Sequence, residues 1–347
     1  MTQSIYTSEG FSMQLPPGKI PVEVLKEVIF KNLGAKRGEV VQGPRAGIDG
    51  AVINIGNKAL VSSMDPITGA VERIGWLAVN INANDVATFG VEPAFFLSCI
   101  MLPTNAEKAT VETISAQMNK AAEQLKIAII GGHCEVTPWL KNPIIVGCAM
   151  GISDKGHFVT AAEAKPGDKL ILTKSAGIEG TAILASDKEN KLKKSLSAKT
   201  LKNAKEFYKR ISIVKEAMIA FETGEVHAMH DPTEGGIAGA IHEMADASKT
   251  GVTIHEDRIR VEDETQQICN FFNIDPLQLI ASGCLLIAVE PNSAQRIVKT
   301  LATNSIDSET IGDFTSFPEQ RRTVLRGGRF AELVRPKTDH LWRALAQ

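Results

Sequence analysis

Three aspartates in the first part of the chain have the surroundings expected of a cation site. Asp49 lies in a glycine-rich loop over residues 43–50, Asp65 ends a strand-like run, and Asp85 lies in a helical pattern. Mg²⁺ is usually held by one or two carboxylates together with substrate phosphates. Because few basic residues accompany these carboxylates, the trio predicts a Mg²⁺ site that serves a phosphate-bearing ligand.

The helical pattern around Asp85 predicts an amphipathic helix that ends at Gly90. Asn82 and Asp85 fall within its apolar stripe. A carboxylate on a core-facing stripe is costly unless it is paired or coordinates a cation. Asp85 therefore coordinates a cation, caps a neighbouring loop, or pairs with Arg73 or a more distant base.

The glycine-rich loop GPRAGIDG, which contains Gly47, lets backbone N–H groups approach an anion closely. Clusters of Gly and Pro are more often plain turns, so the loop alone is a weak signal. The chain contains neither the Gly-x-x-x-x-Gly-Lys-Ser/Thr pattern nor the Gly-x-Gly-x-x-Gly pattern. The common nucleotide-binding folds are therefore disfavoured.

A second anion site is predicted at the segment DPTEGG, residues 231–236, between a strand and a helix. Gly235 and Gly236 at the helix start expose N–H groups at the positive end of the helix dipole. The alternative is a helix capped by Asp231 or Thr233, with glycines that allow close packing. Together with the aspartates, the two glycine-rich segments make a nucleoside triphosphate the most economical ligand.

His133 and Glu135 follow an apolar strand predicted over 127–130, at the sequence Gly-Gly-His-Cys-Glu. His133 is a candidate catalytic residue beside Asp65 and Asp85, because histidine titrates near neutral pH and serves as a base or a ligand. The alternative is a histidine that is satisfied by backbone at a strand end. Cys134 is predicted to be a small buried residue rather than a nucleophile.

Composition excludes several classes of protein. The chain has 347 residues, 44% of them hydrophobic and 22% charged, with a formal net charge of -2, which are ordinary globular values. This balance offers no basic surplus for nucleic acid or anionic lipid. Five cysteines without Cys-x-x-Cys spacing indicate neither a disulfide framework nor a zinc site. We expect no membrane segment and no signal peptide, and thus a cytoplasmic protein.

Strands alternate with helices along the chain, which predicts an α/β or α+β layered fold in two domains. A polar segment over 153–169 marks the boundary. A lysine-rich segment over 187–209 is predicted to be a solvated helix face. The predicted divisions are a flexible arm over 1–20, an N-terminal domain over 21–160, a C-terminal domain over 161–335 and a short tail over 336–347.

Five motifs in a fixed order resemble a known superfamily. They are GIDGAV, SSMD, NANDVATFGVEP, GGH and DPTEGG, at residues 47–52, 62–65, 82–93, 131–133 and 231–236. The chain resembles the superfamily of aminoimidazole ribonucleotide synthetase, selenophosphate synthetase, thiamine-monophosphate kinase and the hydrogenase maturation factor HypE. The resemblance spans about residues 18–324 and is nearest to the HypE-like members.

The resemblance implies an N-terminal ATP-binding and dimerisation domain, whose sheet forms a barrel across a homodimer, and a C-terminal α/β domain. ATP would lie in a cleft between partners and domains, and its γ-phosphate would activate an oxygen of an amide-like or carbonyl group or be transferred outright. The matching residues are Asp49, Asp65 and Asp85 for Mg²⁺ and phosphate, Asn82 and Asn84 beside them, Asp231 and Thr233 of the Asp-Pro-Thr motif, and the pair Gly235 and Gly236.

Several departures from the family patterns limit how far the function follows. HypE proteins end in a cysteine that is carbamoylated and dehydrated, whereas this sequence ends Ala-Leu-Ala-Gln with no cysteine after Cys284. Dehydration on its own tail is therefore not expected. His133 stands where HypE has an acidic residue. No cysteine precedes Cys99 to match the reactive thiol of the selenium enzyme.

The leading hypothesis is an ATP- and Mg²⁺-dependent enzyme of the HypE-like group, acting on a small-molecule or protein-bound carbamoyl or amide substrate, with a possible maturation partner protein. One alternative is a small-molecule kinase similar to thiamine-monophosphate kinase. The other is a non-catalytic ATP-binding assembly subunit.

Overall fold

The elements follow the predicted alternation of strands and helices. The computed structural model describes residue 15, residues 17–325 and residues 327–347, so most of the predicted arm over 1–20 lies outside the described residues. The strands are β1 Val40–Gln42, β2 Ala51–Ile55, β3 Lys58–Ile67, β4 Pro93–Leu102, β5 Ala128–Val136, β6 Ile144–Asp154, β7 Lys169–Thr173, β8 Val226–His230, β9 Gly251–His255, β10 Leu286–Val289, β11 Ser308–Thr315, β12 Arg321–Val324 and β13 Phe330–Glu332. The α-helices are α1 Val22–Val24, α2 Ile74–Ala87, α3 Lys108–Leu125, α4 Ile178–Asp187, α5 Glu189–Leu192, α6 Ala198–Glu206, α7 Val214–Phe221, α8 Gly236–Ser248, α9 Asp263–Phe272, α10 Ala294–Thr303 and α11 His340–Leu345.

The first sheet is built on the long pairing of β3 with β6, which runs from Lys58 opposite Asp154 to Ile67 opposite Ile145. Its strand order is β1-β2-β3-β6-β4-β5. All neighbours are antiparallel except β4 and β5, which are parallel. Alternate residues of β3 point into the core, as the period of two in a strand requires. This register places Asp65 at the end of the strand that faces the C-terminal half.

The second sheet has the order β13-β12-β9-β11-β7-β10-β8. Its neighbours are antiparallel except β12 and β9, which are parallel. Strands β7 and β10 are almost wholly buried, because α-helices cover the sheet. The predicted layered α/β architecture in two halves is confirmed. In the described part of the chain, no helix has the length and hydropathy needed to cross a bilayer.

Helix α2 differs from the amphipathic helix predicted here. All of its residues except Trp76 are buried, because the helix packs against β3, β6 and α3 and also reaches α7 of the second half. A helix enclosed on all sides has no solvated face. Its polar residues, among them Asn82, Asn84 and Asp85, are therefore buried and need specific partners.

The segment predicted to be a short polar tail, 336–347, ends in helix α11. Leu341 and Ala344 of this helix are buried in the core. The Asp339 carboxylate accepts from the N–H of Leu341 (2.6 Å) and from the N–H of Gly235 at the start of α8 (2.6 Å). Asp339 therefore caps α11 and also binds the residue before α8, which fixes the tail against the C-terminal half.

The lysine-rich segment also holds the tail. Lys188 Nζ donates to the carbonyl of Leu345 (2.5 Å), and Lys191 Nζ donates to the carbonyl of Gln347 (2.8 Å). Lysine near a helix C-terminus is favourable because it meets the exposed carbonyl groups. The prediction of a purely solvated face over 187–209 is therefore incomplete.

Candidate functional site

The glycine-rich loop positions Asp49 by docking on α8. Gly47 has φ of 75°, and a Cβ at this residue would lie 2.8 Å from the carbonyl oxygen of Glu243. Arg45 Nη2 donates to the carbonyl of Ala247 (2.7 Å) on the same helix. Gly47 therefore permits a close approach of the two halves, and this contact brings Asp49 to the end of β8. Direct contact of Gly47 with a phosphate stays a prediction.

His230, at the end of β8, lies between two carboxylates. Its Nδ1–H donates to Asp49 Oδ2 (2.5 Å), and its Nε2–H donates to Glu243 Oε2 (2.9 Å). Burial opposes the charged imidazolium, but the adjacent Asp49 and Glu243 outweigh burial and raise the pKa of His230 to about 10. His230 is therefore a fixed cation that orients Asp49, with neither ring nitrogen free for a metal.

Lys19 supplies a second cation at the site. Its Nζ donates to Thr233 Oγ1 (3.0 Å) and lies 3.7 Å from Glu243 Oε1. Its backbone N–H donates to Glu234 Oε2 (2.7 Å). The surrounding carboxylates, Glu243 first and then Asp49, raise the pKa of the Lys19 amine above its usual range. Lys19 therefore stays charged beside Thr233.

The predicted carboxylates converge at this point, and Asp231 joins them. Ser63 Oγ lies 2.7 Å from Asp85 Oδ2 and 2.5 Å from the Asp49 carbonyl oxygen. Burial raises the pKa of Asp65 to about 6, that of Asp231 to about 7 and that of Asp85 well above its usual range, and the mutual repulsion of the acids adds to each rise. The structure thus brings together acids from four segments: the glycine-rich loop, β3, α2 and the residues after β8.

The donor set suits a hard divalent cation. Asp231 is fully buried, and among the described residues neither of its carboxylate oxygens has a hydrogen-bond partner. Ligand atoms of Asp49, His230 and Asp231 lie within 4.8 Å of one another. Both ring nitrogens of His230 donate to carboxylates, so this residue has no free nitrogen for the ion. Asp49 and Asp231 would hold the ion, with Asp65 and Asp85 close by. Oxygen donors of this kind fit Mg²⁺.

Asn82 and Asn84 are bound by backbone groups. Asn82 Oδ1 accepts from the N–H of Asp65 (2.8 Å), and its Nδ2 donates to the carbonyl of Ala78 (2.9 Å). Asn84 Nδ2 donates to the carbonyl of Ile211 (2.9 Å), while its Oδ1 accepts from the N–H of Ile213 (2.9 Å). The two amides thus fix the end of β3 and join α2 to the C-terminal half. Their contact with ATP stays a prediction.

The glycine pair at the start of α8 has protein partners. The Gly235 N–H donates to Asp339, and the Gly236 N–H donates to the carbonyl of Thr233 (3.0 Å). A Cβ at Gly236 would lie 2.6 Å from the carbonyl oxygen of Leu279. Neither Asp231 nor Thr233 caps α8, so the alternative reading is wrong about the cap, whereas the close packing that it assigned to the glycines is present. A phosphate contact at these amides stays a prediction that requires Asp339 to move.

His133 lies apart from the carboxylates. It is on β5, the edge strand of the first sheet, with its side chain 65% exposed and its Nε2 3.2 Å from Glu135 Oε2. It does not line the cavity beside Asp65. Its catalytic role is a prediction that the geometry of one chain does not support. The prediction that Cys134 is buried is wrong, because Cys134 is exposed, as are all nine residues of β5.

A cavity of about 370 Å³ lies beside the carboxylates, between the two halves and helix α11. The polar residues at one end include Lys19, Asp65, Thr233 and Glu234. The remaining lining residues include Ile81, Glu179, Ile183, Ile280, Ser282, Asp339, Leu341 and Trp342. A cavity of this size and lining is typical of a small-molecule site.

Sequence reasoning missed several residues of this site. His230 directly precedes Asp231, and a histidine at the end of a buried strand next to an aspartate was an available signal. Glu243 follows in the adjacent helix. Lys19 falls in the predicted flexible arm over 1–20, and Ser63 falls in the motif SSMD without a predicted role of its own. Each of these residues has its partners more than ten residues away in sequence. Periodicity within one segment does not reveal such contacts.

Comparison with known families agrees with the geometry. The profile described as AIR synthase related protein, N-terminal domain, matches residues 47–153, and that of the C-terminal domain matches residues 165–324. The chain belongs to the AIR synthase related family. The predicted resemblance is therefore confirmed.

Two curated relatives in this family have hydrogenase-related names. One is a putative hydrogenase expression/formation protein of Methanocaldococcus jannaschii, 32% identical over 85% of this chain and 88% of that protein. The other is the carbamoyl dehydratase HypE of Rhizobium leguminosarum bv. viciae, 26% identical over 83% of each chain. The enzyme name of the latter agrees with the prediction that this chain is an enzyme.

Two solved structures share the fold. A chain of a HypE–HypF complex superposes with a TM-score of 0.75 and 21% identity, covering 90% of this chain and 99% of that chain. HypE in complex with ATP superposes with a TM-score of 0.69 and 20% identity, covering 95% of this chain and 98% of that chain. At these identities the likeness shows the fold.

Proposed function

We propose that this AIR synthase related protein is an ATP- and Mg²⁺-dependent enzyme of the HypE-like group. It uses the γ-phosphate of ATP to activate an oxygen of an amide or carbonyl group. The observation that carries the proposal is the buried carboxylate of Asp231, which has no hydrogen-bond partner among the residues that the structure describes and lies with three other aspartates beside a cavity. The ATP named with one solved relative and the carbamoyl dehydratase name of another support it.

The residues near the cavity have separate roles in the proposed phosphoryl transfer. Asp49 and Asp231 would hold Mg²⁺, and His230 and Glu243 keep Asp49 in place. Lys19 brings a positive charge to the same end of the cavity. A bound Mg²⁺ would neutralise phosphate charge. Phosphoryl transfer needs positioning and charge neutralisation more than a protein nucleophile, which fits this set of residues.

Titration of ATP into the protein by calorimetry tests the proposal. We expect tight binding only with Mg²⁺ present. Asp65→Asn should weaken that binding by roughly 100-fold, because groups that support a metal site contribute about this much. Asp154→Asn, an exposed carboxylate on β6 that pairs with Lys58, is the control and should bind as the wild type does. Failure of the wild type to bind ATP with Mg²⁺ would refute the proposal.

The fate of the labelled γ-phosphate separates the possible reactions. Release as free phosphate together with a dehydrated or ligated product supports activation of an amide or carbonyl oxygen. Label that stays on a metabolite would identify a small-molecule kinase instead. ATP binding without turnover, together with stable co-purification of a maturation protein, would indicate an assembly subunit. The HypE–HypF complex named above makes such a partner worth including in the assay.

We also propose a homodimer formed through β5. All nine residues of this strand are exposed, including Ile129, Ile130 and Val136. An exposed, apolar edge strand is a template for pairing with another chain. We expect the wild type to have the mass of a dimer by light scattering, and Ile130→Lys to have the mass of a monomer. Ala128→Lys is the matched control, because it adds the same charge to β5 without removing a large apolar side chain. It should retain more of the dimer than Ile130→Lys does.

A further inference from the structure

The outer strand of the second sheet has a free edge. β13 is the last strand in the order of that sheet, and among the described residues it pairs with β12 alone. The Leu333 N–H donates to the carbonyl of Arg321 on β12 (3.1 Å). Because hydrogen-bonded and non-hydrogen-bonded pairs alternate along two antiparallel strands, Phe330 and Glu332 direct their N–H and C=O groups away from β12. These backbone groups are available to one further strand.

The segment that carries this edge is strongly basic. Lys and Arg make up 38 of the 347 residues, about one in nine. Over residues 321–337 they make up about one in three, namely Arg321, Arg322, Arg326, Arg329, Arg335 and Lys337. Glu332 is the one acidic residue of that range. Arg321 and Arg335 both pair with Asp246 of α8, so a single carboxylate serves two guanidinium groups. A surplus of positive charge therefore remains in this segment.

An aromatic ring and two arginines at this edge face solvent. Phe330 is 61% exposed, and Arg322 Cζ lies 5.7 Å from the centroid of its ring. Arg322 and Arg329 are exposed, and within the described chain neither forms an ion pair with a carboxylate. A Cβ at Gly327 or Gly328 would meet no described atom within 4 Å, so the turn of the hairpin projects into solvent. A partner can therefore reach the ring and both guanidinium groups.

We propose that β13 binds an extended acidic segment of another protein, which adds one strand to the second sheet. In this mode the main-chain hydrogen bonds give affinity, and alternate side chains of the added strand give specificity. Acidic side chains would meet Arg322 and Arg329, and an apolar side chain would cover Phe330. None of these three residues lines the cavity beside the carboxylates. The surface is therefore separate from the proposed ATP site.

The charge of the edge selects this occupant over a second copy of the same edge. Two β13 strands side by side would bring their arginines together, and like charges on neighbouring strands are destabilising. The free edge of β5, which carries Ile129 and Ile130, has no such barrier to self-pairing. Nucleic acid is disfavoured, because the chain as a whole has a net charge of -2 and the free groups of β13 are those that pair with a strand.

Fluorescence anisotropy with labelled peptides of about six residues tests the inference on the full chain. The first peptide alternates Glu with Val, the second alternates Lys with Val, and the third is the acidic peptide with every backbone N–H methylated. We expect the acidic peptide to bind with a Kd below about 1 mM. The lysine peptide and the methylated peptide should each bind at least about tenfold more weakly, since one reverses the charge and the other removes the main-chain donors.

Two substitutions of Glu332 separate strand addition from charge attraction. Glu332→Pro removes an N–H that faces away from β12, and proline is tolerated at such edge positions, so the hairpin should be retained. Glu332→Gln removes the same charge and keeps the N–H. Charge attraction alone would make both variants bind the acidic peptide more tightly. Strand addition predicts that Glu332→Pro binds at least about tenfold more weakly, while Glu332→Gln binds as tightly as the wild type or more so.

Reversal of the arginine charges tests the side-chain contacts. The double variant Arg322→Glu with Arg329→Glu should bind the acidic peptide at least about tenfold more weakly. The matched control is Lys194→Glu with Lys199→Glu, which changes the net charge by the same amount at exposed lysines of the lysine-rich segment. We expect this control to bind within about threefold of the wild type, because exposed charges at a distance are screened by salt. Thermal melts verify that each variant is folded.

Four results would overturn the inference. They are absence of binding of the acidic peptide up to about 1 mM, equal binding of the methylated peptide, tighter binding by Glu332→Pro than by the wild type, and equal losses in the arginine and lysine double variants. A single-stranded thymidine oligonucleotide that binds more tightly than the acidic peptide would also overturn it and indicate a nucleic-acid surface. The ATP titration is independent, so failure of the proposed function leaves this surface intact, and the reverse holds too.

Discussion

Asp231→Asn is expected to abolish Mg²⁺-dependent ATP binding and, at the same time, to stabilise the metal-free protein. Both effects have one cause. The Asp231 carboxylate is fully buried, and within the described chain its oxygens have no hydrogen-bond partner. Without Mg²⁺ the buried charge of Asp231 destabilises the folded protein, and with Mg²⁺ the same carboxylate is a metal ligand. We expect ATP affinity in the presence of Mg²⁺ to fall by more than ~100-fold, beyond the effect of residues that only support metal ligands.

The gain in stability follows from the sign of the pKa change. Burial raises the pKa of Asp231 from 3.8 to about 7. The free energy of unfolding is therefore highest below pH 3.8. It falls by on the order of 4 kcal/mol as pH rises to about 7, because the folded protein must then hold a buried charge. Asp231→Asn has no charge to bury, so its stability should not fall over this pH range. At pH 7.5 without Mg²⁺, its Tm should exceed that of the wild type by roughly 5 °C.

Differential scanning calorimetry from pH 5 to 8, with and without Mg²⁺, measures this prediction. Mg²⁺ should raise the Tm of the wild type at pH 7.5 and leave Asp231→Asn almost unchanged. Asp257→Asn, an exposed aspartate of the C-terminal half, should match the wild type within about 0.5 kcal/mol. A variant that is less stable than the wild type at every pH would contradict the assignment of Asp231 as an unpaired cation ligand.

His230→Gln should destabilise the protein by about 3 to 5 kcal/mol, because it removes one member of a buried ion pair and leaves two carboxylates without their counterion. His230 lies between Asp49 and Glu243. Its pKa is raised to about 10 against the opposing effect of burial. The stability it supplies is therefore complete below pH 6.5 and is lost as pH rises through about 10. The variant should show no such loss over that range.

Chemical denaturation at pH 7 and pH 9.5 measures this difference, and ATP titration with Mg²⁺ adds a functional readout. His227→Gln is the matched control, since His227 lies on the same strand and contacts one carboxylate, Asp168 (2.9 Å). We expect that control to lose about 1 to 2 kcal/mol and to keep its ATP affinity. His230→Gln should lose ~10- to 100-fold in ATP affinity, because Asp49 is no longer oriented. Equal behaviour of the two variants would show that His230 is a purely structural residue.

The sequence by itself determined the elements and the acids of the site. Local periodicity was sufficient for the alternation of strands and helices, which the layered fold confirmed. Local chemistry was sufficient to select Asp49, Asp65, Asp85 and Asp231, because an acid at a glycine-rich loop, a strand end or an apolar helix stripe conflicts with its surroundings unless it has a function.

Only the tertiary structure decided which residues meet those acids. His230, Glu243 and Lys19 reach the site through contacts between segments far apart in sequence, and periodicity carries no signal for such contacts. The same holds for exposure. Helix α2 is buried on all sides because two domains enclose it, and His133 is exposed because β5 lies at the edge of its sheet. The residue pattern of one segment shows which of its faces are apolar and which are polar. Whether each face is buried depends on the elements that pack against it, which belong to the rest of the chain.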